Sequence, residues 1–255
     1  MITVRRARPA DIAGIAGVVR EIWDQEILPD VCRAQIEGDA SALLVAVEDA
    51  PAARIVGFVS AFLTKDPGDR RRWEVDLLAV RQDLQGHGLG TRLITQASQE
   101  GEATGASSAR ALIRVENAAS QKAFEKAGFA TDGSVHRLWL WLPEPGPIPE
   151  APPRRPALLP VATVTYRGVW IEELELASGS RQRAAVRTAR AIVARERRRN
   201  VGALIPIAEE HLLAPDLRGQ AEMHGEYTWY AKPVGPSKPG LQSAASGAAM
   251  SASMT

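Results

Sequence analysis

The chain has 255 residues, 45% of them hydrophobic, and a formal net charge of +1. That is enough apolar material for one large or two small packed domains, and too balanced a charge for a protein that seeks nucleic acid through its overall field. Cys32 is the only cysteine, which excludes an intrachain disulfide and a cysteine-based zinc site; with no run of 18 apolar residues and no apolar leader, a cytoplasmic chain that does not span a membrane is expected.

Ile2-Thr-Val-Arg reads as a first strand. Arg8-Pro-Ala-Asp11 gives a turn with Asp11 as helix cap, and Ile12, Ile15, Val18, Val19 and Ile22 recur at helical spacing to about Trp23. A second short helix is expected between Asp24 and Ala40. Leu43 to Glu48 and Arg54 to Phe62 are β-rich runs joined by Asp49-Ala-Pro-Ala, which is hairpin chemistry. The charged turn from Lys65 to Arg72 leads into a strand, Trp73 to Val80. Thr91 to about Thr104 reads as a helix, Ala109 to Val115 as a strand, and Ala118 to Lys126 as a helix closed by Gly128. Val135 to Leu142 is a further strand, rich in Trp and Leu. The order β-α-α-β-β-β-α-β-α-β predicts an α/β fold.

Between the strand ending at Val80 and the helix starting at Thr91 lies Gln85-Gly-His-Gly-Leu-Gly90. Such a loop aims backbone N–H groups at one spot before a helix N-terminus, electropositive and free of side-chain bulk, which suits a phosphate. The alternating glycines meet neither the P-loop nor the dinucleotide-binding spacing. Gln-x-x-Gly-x-Gly, from Gln85 to Gly90, resembles the acetyl-CoA pyrophosphate loop of the GNAT superfamily of N-acetyltransferases. Asn117-Ala-Ala-Ser-Gln-Lys-Ala-Phe-Glu-Lys-Ala-Gly-Phe129 resembles that family's Asn, helix, aromatic, Gly-Phe segment, and the element order matches as well. The resemblance covers residues 1 to about 142.

The resemblance implies a GNAT fold with a mixed central sheet, and acetyl-CoA as acyl donor. The backbone of Gln85, Gly86, His87, Gly88, Leu89, Gly90 and Thr91 would take the pyrophosphate. Leu78, Ala79 and Val80, on a strand that splays from its neighbour in this family, would hold the pantetheine arm and help polarise the thioester carbonyl. Asn117 and Ser120 match positions that often contact the cofactor, and Asn117 doubles as a helix cap. Many members carry Tyr at the position of Phe124 to protonate the departing thiolate; Phe has no proton to give and would pack beside the thioester. The general base is expected from the strand Trp73 to Val80. Glu74 and Asp76, two apart, share one face there, and burial would raise a carboxyl pKa toward the range a base needs. Either could instead belong to a salt-bridged face with Arg70 to Arg72. The four histidines have no metal-ligand spacing, and no metal is expected.

The implied reaction moves an acetyl group to a primary amine, on a small molecule or a peptide, by direct attack in a ternary complex. The acceptor site is expected from residues 23–36 and 64–73, with Asp24, Glu26 and Asp30 attracting a cationic amine. Two alternatives stay open: a non-catalytic CoA-binding scaffold, suggested by Phe124, and a nucleic-acid- or ribosome-associated protein acetyltransferase. The second rests on residues 181–200, a predicted helix with eight arginines and one glutamate; nearby glutamates and the small net charge favour a solvated face. A homodimer is also compatible.

The domain reading is a GNAT domain at 1–142, a proline-rich linker at 143–160, a smaller α/β segment at 161–233 and a Ser/Gly/Ala-rich disordered tail at 234–255. Strand material is expected over Thr163 to Leu176, Ala203 to Ile207 and Glu226 to Lys232. Ala111-Leu-Ile matches Ala203-Leu-Ile, Gly128 matches Gly219, Trp139 matches Trp229, and Trp73 and Leu77 match Trp170 and Leu174. This suggests a degenerate half-repeat of the same fold, without a second glycine loop.

Overall fold

The computed structural model describes residues 1–49, 53–150 and 155–234. Most of the expected hairpin turn at 49–52, part of the proline-rich stretch and the tail from 235 lie outside the described residues.

The first half runs β1 (Ile2–Arg6), α1 (Ile12–Trp23), α2 (Pro29–Glu37), β2 (Ser41–Glu48), β3 (Arg54–Lys65), β4 (Arg71–Val80), α3 (Leu89–Ala103), β5 (Ser108–Arg114), α4 (Ala118–Lys126) and β6 (Val135–Trp141). The second runs β7 (Ala157–Ala162), β8 (Arg167–Glu172), α5 (Gly179–Arg195), β9 (Asn200–Pro206), α6 (Pro215–Gly219) and β10 (Glu222–Pro233). β7 begins inside the stretch expected to be linker. α5 stops five residues short of Asn200, because Arg197 turns left-handed at φ 52 and the Arg199 N–H then donates to the Arg167 carbonyl. Pro at the first turn of α6 opens a short helix that the apolar pattern does not announce.

All ten strands join one mixed sheet in the order β1-β2-β3-β4-β5-β10-β6-β9-β8-β7. β10 therefore lies in the middle, antiparallel to both β5 and β6. The pairing repeats on either side of it. β4 pairs parallel with β5 through Arg72–Ser108 to Glu74–Arg110, and β8 pairs parallel with β9 through Gly168–Asn200 to Trp170–Gly202. β10 sets Tyr230 opposite Ala111, and β6 sets Trp139 opposite Ala203, with Tyr227–His136 between them. Ala111 and Ala203 thus occupy like positions. The partner of Trp139 in this pattern is Tyr230, not Trp229, and that of Trp73 is Val169, not Trp170. The offset of one residue matters, because it sends a strand side chain to the opposite face.

Strand alternation puts α3, α4 and α5 on one face. Trp73, Val75 and Tyr230 pack there with Leu93 and Ile94 of α3, while Trp139, Trp141 and Val201 pack with Val186 and Val193 of α5. On the other face, α1 and α2 cover only the first strands, burying Ile15, Val18 and Cys32 against Leu43 and Phe58. The rest of that face is folded onto itself. In a flat sheet β5 and β8 would stand about 19 Å apart at ~4.8 Å per strand. Yet Arg110 of β5 reaches Glu172 of β8 at 2.5 Å. The sheet curls, and the β7–β8 hairpin seats on α2 through Leu28 N–H to Val164 O, Gln35 to Ala162 O and Arg167 to Asp30.

A chain cut after residue 220 loses β10 and leaves both β5 and β6 with open edges in the middle of the sheet. It is expected to lose cooperative thermal unfolding altogether, which scanning calorimetry would detect; a sharp transition near that of the full chain would refute the central role of β10.

Candidate active site

β4 carries the candidate site, and two irregularities shape it. Against β3 its register shifts between the pairs Val59–Leu78 and Ala61–Val75, so Asp76 and Leu77 together oppose a single residue in a β-bulge. Against β5 its pairing ends at Glu74–Arg110. From Val75 onward the two parallel strands diverge, and the β5-facing edge of Leu77 to Val80 has no partner strand. Leu78 turns to the α3 side of the sheet and Ala79 to the α1 side.

The glycine loop closes the wide end of this divergence. Gln85 folds it back by donating Nε2–H to the Val80 carbonyl at 2.9 Å. Gly86 and Gly88 sit at φ +80 and +79, left-handed values that cost a side-chain-bearing residue about 1–2 kcal/mol. Gly88 caps α3 without a side-chain hydrogen bond. None of the backbone N–H groups from Gly86 to Thr91 has an acceptor among the described residues. That row of free donors at a helix N-terminus is the arrangement an anionic diphosphate needs. Gly90 faces Leu78 and Ala123, letting α4 come close. Asn117 caps α4, its Oδ1 accepting from the Ser120 N–H at 3.0 Å. Phe124 is buried and packs edge-on to Phe129, with centroids 5.0 Å apart. His87 is exposed, and its ring makes no hydrogen bond among the described residues.

The curled face forms a half-open cavity of about 610 Å³ walled by both halves, within the range of small-ligand sites. Glu74 and Asp76 both line it, and their environments push them apart. Glu74 Oε1 accepts from Thr64 Oγ1 at 2.7 Å and Arg72 Nε at 2.7 Å, and Oε2 accepts from Arg110 Nε at 2.8 Å. Arg72 and Arg110 also share Glu172, at 2.7 and 2.5 Å. Burial alone would raise the Glu74 carboxyl, but Arg110 and Arg72 outweigh it and hold it below the usual carboxylate range. Asp76 has no such partners. Its Oδ2 is shut off from solvent with no hydrogen bond among the described residues. Burial first, and then the Glu74 charge, push its carboxyl up to about 7. A carboxyl poised there can accept a proton at neutral pH.

Residues 14–129 match the family model described as the acetyltransferase (GNAT) family. Residues 14–129 form a GNAT-family acetyltransferase domain. No curated relative matches the sequence. A GCN5-related N-acetyltransferase from Sphaerobacter thermophilus superposes with a TM-score of 0.54 at 16% identity, covering 92% of this chain and 96% of that one. Its likeness in fold reaches beyond the GNAT match into the second half. The ribosomal-protein-S18-alanine N-acetyltransferase from Escherichia coli gives a TM-score of 0.49 at 12% identity, over 94% of this chain and 99% of that one. Arabidopsis thaliana NAA60 in complex with acetyl-CoA gives 0.46 at 15% identity, over 53% and 90%.

The GNAT domain brings Leu78, Ala79, Val80 and the loop from Gln85 to Thr91 to the divergence of β4 and β5, and α4 meets this loop through Ala123, beside Gly90 and Thr91. Phe124 is buried in the α3–α4 core, in the same apolar cluster that Leu78 packs against. Of the carboxylates proposed to attract an amine, Glu26 is paired with Arg20 and Asp30 with Arg167, and none of Asp24, Glu26 and Asp30 lines the cavity. Trp23 and Gln25 do line it. The sequence reading missed the second-half wall, which includes Tyr166, Trp170, Arg199 and Trp229. The one signal for it was the pair of tryptophans aligned one residue out of phase.

Proposed function

We propose that the protein is an acetyl-CoA-dependent N-acetyltransferase that acetylates a primary amine by direct attack in a ternary complex, with one donor site per chain. The observation that carries this reading is the orphan carboxyl of Asp76, at the bulge where β4 leaves β5, on the wall of the half-open cavity and on the strand that leads into the free N–H groups of the glycine loop. Acetyl-CoA supplies the activated acyl group. The amides from Gly86 to Thr91 would bind its pyrophosphate, and the unpaired edge of Leu78 to Val80 would bond its pantetheine arm and orient the carbonyl. Asp76 would take the proton from the acceptor ammonium, freeing the nitrogen lone pair. Glu74, held as a carboxylate by two arginines, would stay ionised and keep the Asp76 proton affinity high. Phe124 offers no acid, so the thiolate would take its proton from the amine side or from water. The second half, with Ser178-Gly-Ser-Arg-Gln-Arg183 where the first has its glycine loop, is read as a degenerate half-repeat in a supporting role.

The test is a panel of primary amines with acetyl-CoA, reading free thiol and acetylated product. Transfer to at least one amine class supports the reading; acetyl-CoA binding without transfer to any would turn it into a scaffold. Gly88→Ala tests the donor site. It adds backbone strain where the N–H groups must converge, and is expected to weaken acetyl-CoA binding at least tenfold by titration calorimetry. An unchanged affinity would place the donor elsewhere.

A further inference from the structure

The cavity wall opposite Asp76 is built by the second half, and its chemistry narrows the acceptor. Tyr166 lies over Gly168, where any Cβ would strike its hydroxyl, and donates that hydroxyl to Asn200 Oδ1 at 2.5 Å. Trp170 stands beside Gly202, where a Cβ would come within 3.4 Å of its indole nitrogen. The two glycines thus give way to two aromatic rings, which a hydrogen bond and close packing hold in place. Trp23, Phe62, Tyr227 and Trp229 add further rings, so six of the chain's 13 aromatic residues line this one cavity. A wall of this kind suits a flat or apolar body.

The cations of the cavity are not equivalent. Arg110 is saturated by Glu74 and Glu172 and stacks on Trp229 with its guanidinium carbon 3.8 Å from the ring centroid. Arg114 pairs with Glu116 at 3.1 Å. Arg199 lines the cavity, is exposed, and has no ion pair among the described residues. Its backbone bonds Arg167 at the start of β8, and β5, β10 and β6 lie between β4 and β9 in the sheet. Asp76 and Arg199 therefore belong to separate walls of the curled sheet.

Resting on the transferase reading above, we infer that the acceptor is a primary amine on an aromatic or apolar body that carries a carboxylate at its far end, and that the second half selects it through Trp170, Tyr166 and Arg199. The amine meets Asp76, the body lies between the rings, and the guanidinium of Arg199 takes the carboxylate with its fork of N–H donors.

The full chain is assayed with acetyl-CoA and two matched pairs: benzylamine with 4-(aminomethyl)benzoate, and phenethylamine with 4-(2-aminoethyl)benzoate. The benzoates are expected to show kcat/KM at least tenfold higher, mainly through KM. Arg199→Gln should erase that preference by lowering kcat/KM for the benzoates at least tenfold; Arg199→Lys should restore part of it. Trp170→Ala should raise KM for all four. Direct titration of 4-(aminomethyl)benzoate, followed by tryptophan fluorescence, should give tighter binding than benzylamine in wild type and equal binding in Arg199→Gln. Equal kcat/KM within each pair in wild type, or a preference that survives Arg199→Gln, overturns the inference and leaves the transferase reading standing. Failure to acetylate any amine of a broad panel, with acetyl-CoA still bound, overturns both.

Discussion

Asp76→Asn is expected to lower kcat/KM for acetyl transfer by two orders of magnitude or more, with the affinity for acetyl-CoA unchanged. A positioned base contributes typically 10²–10⁴-fold, and Asn keeps the shape of Asp while losing the proton acceptor. In wild type, kcat/KM should rise with pH and level off above about 7, where the Asp76 carboxyl ionises. In Asp76→Asn that limb should vanish. The same shift has a consequence for stability. The folded-state pKa lies above that of the unfolded chain, so ionising Asp76 opposes folding. The cost is absent below the unfolded value near 4, grows as pH rises and is complete above about 7. At roughly 1.4 kcal/mol per unit it amounts to a few kcal/mol. Asp76→Asn should therefore melt higher than wild type at pH 8 and with little difference at pH 4. A variant that keeps near-wild-type turnover, or melts no higher at pH 8, would remove Asp76 from this role.

Glu74→Ala is expected to destabilise the fold by about 3–5 kcal/mol, because it strips Arg72 and Arg110 of a shared carboxylate in a buried setting. For a chain of this size that is a fall in Tm on the order of 10 °C, readable by calorimetry. Glu74→Gln separates this structural role from catalysis. It keeps the volume but removes the negative charge that helps raise the Asp76 pKa. Its pH–rate limb should therefore move to lower pH while the plateau rate per folded molecule stays within a few fold. Loss of the limb itself would make Glu74 the base and Asp76 the spectator.

The parts of the site that were legible in the sequence are those made by near neighbours. The strand–loop–helix run from Trp73 to Thr91 declares itself because its glycines, its apolar run and the helix that follows lie within twenty residues. The Asn117 cap and its helix are equally local. Glu74 and Asp76 could be placed together on β4 by alternation, but nothing local could tell them apart. What separates them is Arg110, 36 residues on, and Glu172, about 100 residues on. The curl of the sheet that unites these groups is a tertiary fact with no sequence period. The tryptophans illustrate the same limit. Trp139 and Trp229 align well as letters, yet one is packed in the helix-covered core and the other faces the cavity, since a single residue of offset reverses a strand's face. Arg-rich residues 195–199 read as helix by composition, but the left-handed turn at Arg197 hands them to the approach of β9.

The central position of β10 also sets the order of events during synthesis. The ribosome delivers β5, which ends at Arg114, and β6, which ends at Trp141, well before the strand that must lie between them, which starts only at Glu222. Until then the nascent chain has the β4–α3 glycine loop complete in sequence but holds two unpaired strand edges, an invitation to wrong partners. A sheet whose middle is made last pays for it in time, with slow, long-range closure, and the chaperone demand of this protein should fall abruptly once residue 233 clears the exit tunnel.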